Sequence, residues 1–200
     1  MNTTSSKEVK VWDILIRIFH WTLVISFFTA YLTEDDFLDI HRYAGYLITG
    51  LLVFRLIWGF IGSRYARFSN FVYSFAAIKD YLKSLLTTHP KHYLGHNPAG
   101  GFMIILLLVS LSFTVSTGIV MDLEPEPGNA IQQQYTSEHD DDNDEYESAT
   151  HEVMEEIHEF FANLTLLLVF IHIAGVIVSS KLHNENLVRA MITGKKIQKN

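Results

Sequence analysis

Apolar residues along the chain gather into four long runs, not into the short periodic stripes of a soluble bundle. Phe160 to Ser180 holds 21 residues without a formal charge, and Gly101 to Met121 is the apolar part of a 30-residue uncharged stretch that begins at His92. Each can cross a hydrocarbon layer of ~30 Å at about 1.5 Å per residue. Two further runs are interrupted by one arginine apiece, Ile14 to Leu32 by Arg17 and His41 to Ile61 by Arg55. The pattern predicts four transmembrane helices, at about 14–32, 40–61, 101–121 and 157–179, within one domain covering the chain. The first run is too long, and followed too closely by the second, for a cleaved signal, and it lacks a small-residue cleavage site. Between the second and third runs lies a loop of about 62–98, in which Asn70 to Leu86 sets aromatic and aliphatic residues at helical spacing against Lys79 and Lys83. The expected fold class is all-α: an integral-membrane four-helix bundle with a cytoplasmic interfacial helix.

Composition at first contradicts this picture, with a formal charge of −7 and 48% hydrophobic residues over 200 positions. Locating the charges removes the conflict. Fourteen of the 22 acidic residues lie between Asp122 and Glu159, a stretch without Lys or Arg, so the other 162 residues carry eight acids against all 15 bases. The acidity is one loop, at about 122–156, on an otherwise basic membrane protein. Thirteen of the 15 bases fall before span one or in its first turn, between spans two and three, or after span four. Only Arg42 lies on the opposite side, and Arg55 lies within a span. The positive-inside bias therefore places both termini in the cytoplasm and the acidic loop outside, as expected for a multi-pass protein of a bacterial inner membrane. There is no cysteine, which excludes disulfides, thiolate metal sites and covalent attachment of a c-type haem. No basic stripe interleaved with aromatics favours nucleic acid as a partner.

Ionisable groups at membrane depth are costly and mark function. Four of the ten histidines, His20, His41, His158 and His172, fall inside or at the ends of the spans. Fourteen residues separate His158 from His172, about 40° short of four turns, so the two share a helix face about 21 Å apart along the axis. Span one starts inside and sets His20 at the inner level; span two starts outside and sets His41 at the outer level. The depths match as His20 with His172 and His41 with His158. Two bis-histidine sites at two depths suit two b-type haems, each taking a neutral imidazole on either face. A tetrahedral zinc or iron transport site would need its ligands at one depth. Haem brings two carboxylates, for which Arg17 and Arg55 are candidate partners at the inner level and Arg42 at the outer one. Gly45 and Gly175, about one turn beyond His41 and His172, would let a flat macrocycle approach, although small residues in spans also serve helix packing. Met103, Met121 and Met154 are read as packing residues, and His89, His92 and His96 as loop and cap residues.

The segments VWDILIRIFHW around His20, HRYAGYLITGLLVFRLIWGFIGSRYARFSNF from His41, YLGHNPAGG before span three, and HEFFANLTLLLVFIHIAGVIVSSKLHNENLVRAMITGKK from His158 carry a resemblance over nearly the whole chain. The chain resembles the bacterial cytochrome b561 and nickel-hydrogenase b-subunit family of four-helix, di-haem membrane cytochromes. The resemblance implies haem ligation by His20, His41, His158 and His172, the set reached from depth. It also implies electron transfer between a quinone and a redox partner on the outer face, such as a hydrogenase-like subunit. The chain departs from the family in its long acidic insertion. There Asp141, Asn143, Glu145 and Glu152 fall at EF-hand-like positions, but Tyr146 stands where that loop needs glycine. A solvated loop, or a docking surface for a basic partner such as a c-type cytochrome, are the other readings of this insertion. Rival functions are a stand-alone quinol oxidoreductase of the same fold and, from another class, a haem or metal transporter or a haem sensor. No nucleophile–base pair or nucleotide-binding glycine loop supports other catalysis.

Overall fold

A computed structural model describes residues 7–85, 91–123 and 141–198. Its four long helices are α1 (Ile14–Leu32), α2 (Leu38–Ile61), α4 (Pro98–Leu123) and α5 (Asp141–His183); between and after them come the short α3 (Phe75–Ser84) and α6 (Leu187–Thr193). Each long helix contains a segment long and apolar enough to cross a membrane, within α5 the part His151–His183. No more than 28% of any such window is buried. Ile25, Tyr43, Phe60, Phe160 and Phe170 face outward on them, an apolar exterior that water would not tolerate and lipid would cover. The expected four-helix membrane bundle is the fold observed.

Local chemistry sets the ends of the helices. Asp13 caps α1 by accepting from the Ile16 N–H at 2.9 Å, and its other oxygen accepts from Trp58 Nε1 at 3.3 Å and from the Ser63 hydroxyl. One carboxylate thus fixes the start of α1 to the end of α2. Gly62 closes α2 with its N–H on Trp58 O at 2.9 Å, and a Cβ there would lie 2.3 Å from that same oxygen. Asn97 caps α4, accepting from the Gly100 N–H at 2.7 Å, with Pro98 in the first turn where its missing N–H costs nothing.

Helix α5 packs on α4, and α1 and α4 each pack on α2. Phe27, Ile48, Leu52 and Leu111 form an apolar cluster in the core. On the α4–α5 seam, fully buried Thr165 shares a 2.7 Å hydrogen bond with Ser110, a polar tie of the kind lipid cannot replace.

Three features depart from the expectations. The interfacial segment is not one helix over 70–86: a 3-10 turn at Phe68–Asn70 precedes α3, which Ser74 caps through Ala77 N–H. Helix α5 begins at Asp141 and spans 43 residues, about 65 Å, so the second half of the acidic segment continues the span as helix. Asp141, Asn143, Glu145 and Glu152 therefore sit on helical backbone, not in the looped geometry of a calcium-binding hand. Finally, β1 (Lys7–Lys10) pairs antiparallel with β2 (Lys195–Gln198), a ribbon that an all-α reading does not contain. It joins both ends of the chain at one end of the bundle. Gly194, at φ 79°, makes the turn into β2, and its carbonyl accepts from Val11 and Trp12 N–H at 2.9 and 3.1 Å. His89 and residues 124–140 of the acidic segment lie outside the described residues.

Candidate haem sites

The structure brings the four span histidines together as two groups. His41, in the first turn of α2, faces His158 of α5 with ring centroids 6.0 Å apart. Nδ1 of His41 lies 2.9 Å from Ala30 O, near the end of α1. Nδ1 of His158 lies 2.9 Å from Thr114 O of α4. A carbonyl oxygen only accepts, so in both rings Nδ1 carries the proton and Nε2 keeps its lone pair, as an axial imidazole requires. A cavity opens beside them, lined by Phe27, Tyr31, Gly45, Leu111, Gly118 and Ala162 among others. A Cβ on Gly45 would meet nothing within 4 Å.

Gly118 was not legible as a site residue. A Cβ there would lie 2.9 Å from His158 Cε1 and 3.2 Å from Nδ1, so only glycine lets the imidazole reach the Thr114 carbonyl one turn away. The signal available in sequence, a glycine within span three, is common in membrane helices and gives no partner.

Arg42 is engaged: its Nε lies 2.8 Å from Asp122 Oδ1, and the Tyr46 hydroxyl donates to the same carboxylate. The arginine nominated for a carboxylate at the outer level already holds one from the protein, at the rim of the cavity that Asp122 also lines.

At the other end of the bundle, His172 lies close enough to His20 to act on it electrostatically. Arg55 is 4% exposed, with its guanidinium over Phe68 and Phe71 at 4.9 and 5.4 Å from the ring centroids. Arg17 turns toward the tail, its guanidinium and Cδ beside Gly194. Gly175 is exposed on α5, and a Cβ there would meet nothing within 4 Å. His92 lies 2.6 Å from Glu185 Oε1, while Lys196 Nζ approaches the other oxygen at 3.2 Å. Burial pushes the Glu185 carboxyl up, but His92 and Lys196 together hold it below its ordinary value. His96 lies apart, its ring 4.4 Å from that of Trp12 and 4.9 Å from that of Phe71.

The residues fit haem. Four buried polar atoms lack a hydrogen-bond partner among the described residues: Arg17 Nε, His20 Nδ1, Arg55 Nη1 and His96 Nδ1. All belong to the His20–His172 end of the bundle. Unpaired buried donors are rare in folded proteins, and a set that includes two guanidinium groups suits carboxylates. At the other level, two imidazoles with fixed tautomers border an apolar cavity. A four-helix membrane bundle with histidine pairs at two depths defines a membrane cytochrome of the b type, in which haem is held without a covalent bond.

Comparison with known proteins agrees. Residues 11–194 match the prokaryotic cytochrome b561 family, to which the chain belongs. Over 143 residues it is 29% identical to a protein of Rhizobium leguminosarum bv. viciae named as a probable Ni/Fe-hydrogenase B-type cytochrome subunit, a match covering 58% of this chain and 60% of that one. No solved structure matches.

Proposed function

We propose that the chain conducts electrons across the membrane through two b-type haems, one held by His41 and His158, the other by His20 and His172. The observation that carries this reading is the bond from each outer imidazole Nδ1 to a backbone carbonyl, at 2.9 Å in both cases. Such bonds orient a metal-binding histidine and raise its basicity. Arg17 and Arg55 offer cations for carboxylates at the inner level, and Arg42, with Asp122, for the outer one. Gly45 and Gly175 leave open space beside the ligand-bearing helices. Bound haem supplies reversible one-electron chemistry at iron; the chain ligates it, orients it and keeps water from it.

The electron partners we infer are the quinone pool and a redox protein on the outer face. The name of the Rhizobium relative favours a hydrogenase for that protein. The acidic residues before span four would equally draw in a basic c-type cytochrome, with salt-dependent encounter. Thirteen of the 15 Lys and Arg residues fall on the side of the termini, which favours cytoplasmic termini in a bacterial inner membrane.

The test is haem stoichiometry by pyridine haemochrome on the purified chain and its four His→Ala variants. Two low-spin, carbon-monoxide-inert haems per chain are expected. His20→Ala or His172→Ala should remove one of them and His41→Ala or His158→Ala the other. A single haem in the parent chain, or an open coordination position, defeats the proposal.

A further inference from the structure

His96 precedes α4 on the loop that crosses the inner end of the bundle. Trp12, at the entry to α1, and Phe71, after the 3-10 turn, pack against its ring, the first tilted at 45° and the second edge-on at 61°. Phe71 is 1% exposed and Trp12 7%, so the imidazole is clamped between two fixed aromatic walls. The backbone around it is equally fixed: Tyr73 donates its hydroxyl to His96 O at 3.1 Å, and the Cβ of any residue replacing Gly101 would lie 2.1 Å from Phe71 O. The ring is held firmly, and its buried Nδ1 has no hydrogen-bond partner among the described residues.

The surroundings state the chemistry of a partner for it. Burial pushes the His96 imidazole down to about 3, and Arg55, Lys196, His172 and His20 add to the effect. The ring is therefore neutral, with a single N–H to give, and lies in a positive field. Among the described residues, buried Arg55 Nη1 and Arg17 Nε likewise have no hydrogen-bond partner. Asp13 acts on Arg55 electrostatically, but neither Arg55 Nη1 nor His96 Nδ1 has a hydrogen-bond acceptor among the described residues; a neutral donor close to a guanidinium suits an anion, and a planar guanidinium suits a carboxylate in particular.

We propose that His96 binds a haem carboxylate at the inner level, donating from Nδ1 alongside Arg55. This rests on the two-haem reading, and it adds to the ligand set a residue from the cytoplasmic loop that is in no transmembrane helix. The amino-terminal Trp12 and the Phe71 loop, by clamping His96, then tie closure of the bundle's inner end to occupancy of the inner site.

Three variants in the full-length, detergent-purified protein separate this role from packing. His96→Phe keeps the aromatic contacts and removes the donor, His96→Gln keeps a donor and removes the ring, and His96→Ala removes both. Haem transfer to excess apomyoglobin is followed together with the propionate bands in the resonance Raman spectrum. The outer haem serves as internal control. Phe and Ala should speed loss of the inner haem about tenfold or more, as expected for one hydrogen bond to a charged group, and should shift one propionate band. Gln should restore both toward the parent protein. If Phe behaves as the parent and Gln as Ala, His96 is a packing residue and the proposal fails; unchanged transfer and bands in all three variants also overturn it. A parent chain that binds fewer than two haems instead defeats the underlying two-haem reading, whatever the variants do.

Discussion

Gly118→Ala adds one methyl group to a helix that does not itself bear a ligand, and it should perturb the outer haem alone. The new Cβ would sit 2.9 Å from His158 Cε1 and 3.2 Å from Nδ1, whereas carbon atoms rest at about 3.5–4.0 Å. The imidazole must therefore retreat by about 0.6 Å or more. It is held by the 2.9 Å bond to Thr114 O and by Thr117 at 3.2 Å, and both lengthen beyond useful range when the ring moves away from α4. Overpacking costs about 1–3 kcal/mol and the lost hydrogen bond about 1 kcal/mol. Together these weaken retention of the outer haem by about 2–4 kcal/mol, about 30-fold at the lower limit. The assay is haem transfer to apomyoglobin, with the two haems distinguished by redox potential. Substitution of Gly45, where a Cβ meets nothing within 4 Å, is the comparison. A Gly118→Ala protein that keeps its outer haem with parental kinetics and potential refutes the reasoning, as does selective loss of the inner haem.

Other sites give independent checks. Glu185 has a depressed pKa, so its contribution to stability is present at neutral pH and is lost as pH falls through the folded value, below the ordinary glutamate range. Hydrogen exchange of the β1–β2 ribbon should show this acid-side loss of protection, and Glu185→Gln should abolish the pH step; an identical acid profile in the variant argues against it. Asp122→Asn removes a carboxylate from the rim of the outer cavity and releases Arg42. Loss of negative charge disfavours the ferric state, so the outer potential should rise by about 20–60 mV, up to tenfold in a one-electron equilibrium, and redox titration showing no rise or a fall contradicts this. Asp13→Ala removes the α1 cap and its ties to Trp58 and Ser63. It should cost about 1–2 kcal/mol, read as a lower midpoint of thermal unfolding, whereas Glu8→Ala, which breaks only an exposed pair with Lys195, should change little.

Residues that depend on helical periodicity were legible in the sequence. The spacing of His158 and His172 fixes their shared face whatever surrounds them, and alternation of the spans across the bilayer then assigns His41 and His20 to depths. Assignments that required a partner from another helix were less secure. Arg42 stands beside His41, which suggested a carboxylate of the cofactor, yet the end of α4 brings Asp122 to it from 80 residues away. Gly45 does border the outer cavity, while Gly175 lies open on an exposed face of α5. Their surroundings, not their spacing, distinguish the two.

His96 shows the same limit from the opposite side. In sequence it is one of three histidines in the loop between spans two and three, and nothing local separates it from His92. In three dimensions His92 meets Glu185 near the surface, while His96 is enclosed by Trp12 and Phe71. The β1–β2 ribbon was similarly invisible, since KEVK and KKIQ carry no strand pattern. They pair because an even number of crossings returns both ends of the chain to one end of the bundle.

The amino-acid sequence by itself determined that this protein spans a bilayer four times, which side carries the bases, and that two histidine levels lie along its core. Those properties follow from run length, charge distribution and the fixed rise and turn of a helix, all of which are local. Only the tertiary structure decided which nitrogen of His41 and His158 carries the proton, that Gly118 makes room for one of them, and that Trp12 and Phe71 hold His96 between them. Each of these depends on a carbonyl, a vacant Cβ or an aromatic wall from a distant part of the chain, and their distances are set by how the helices pack.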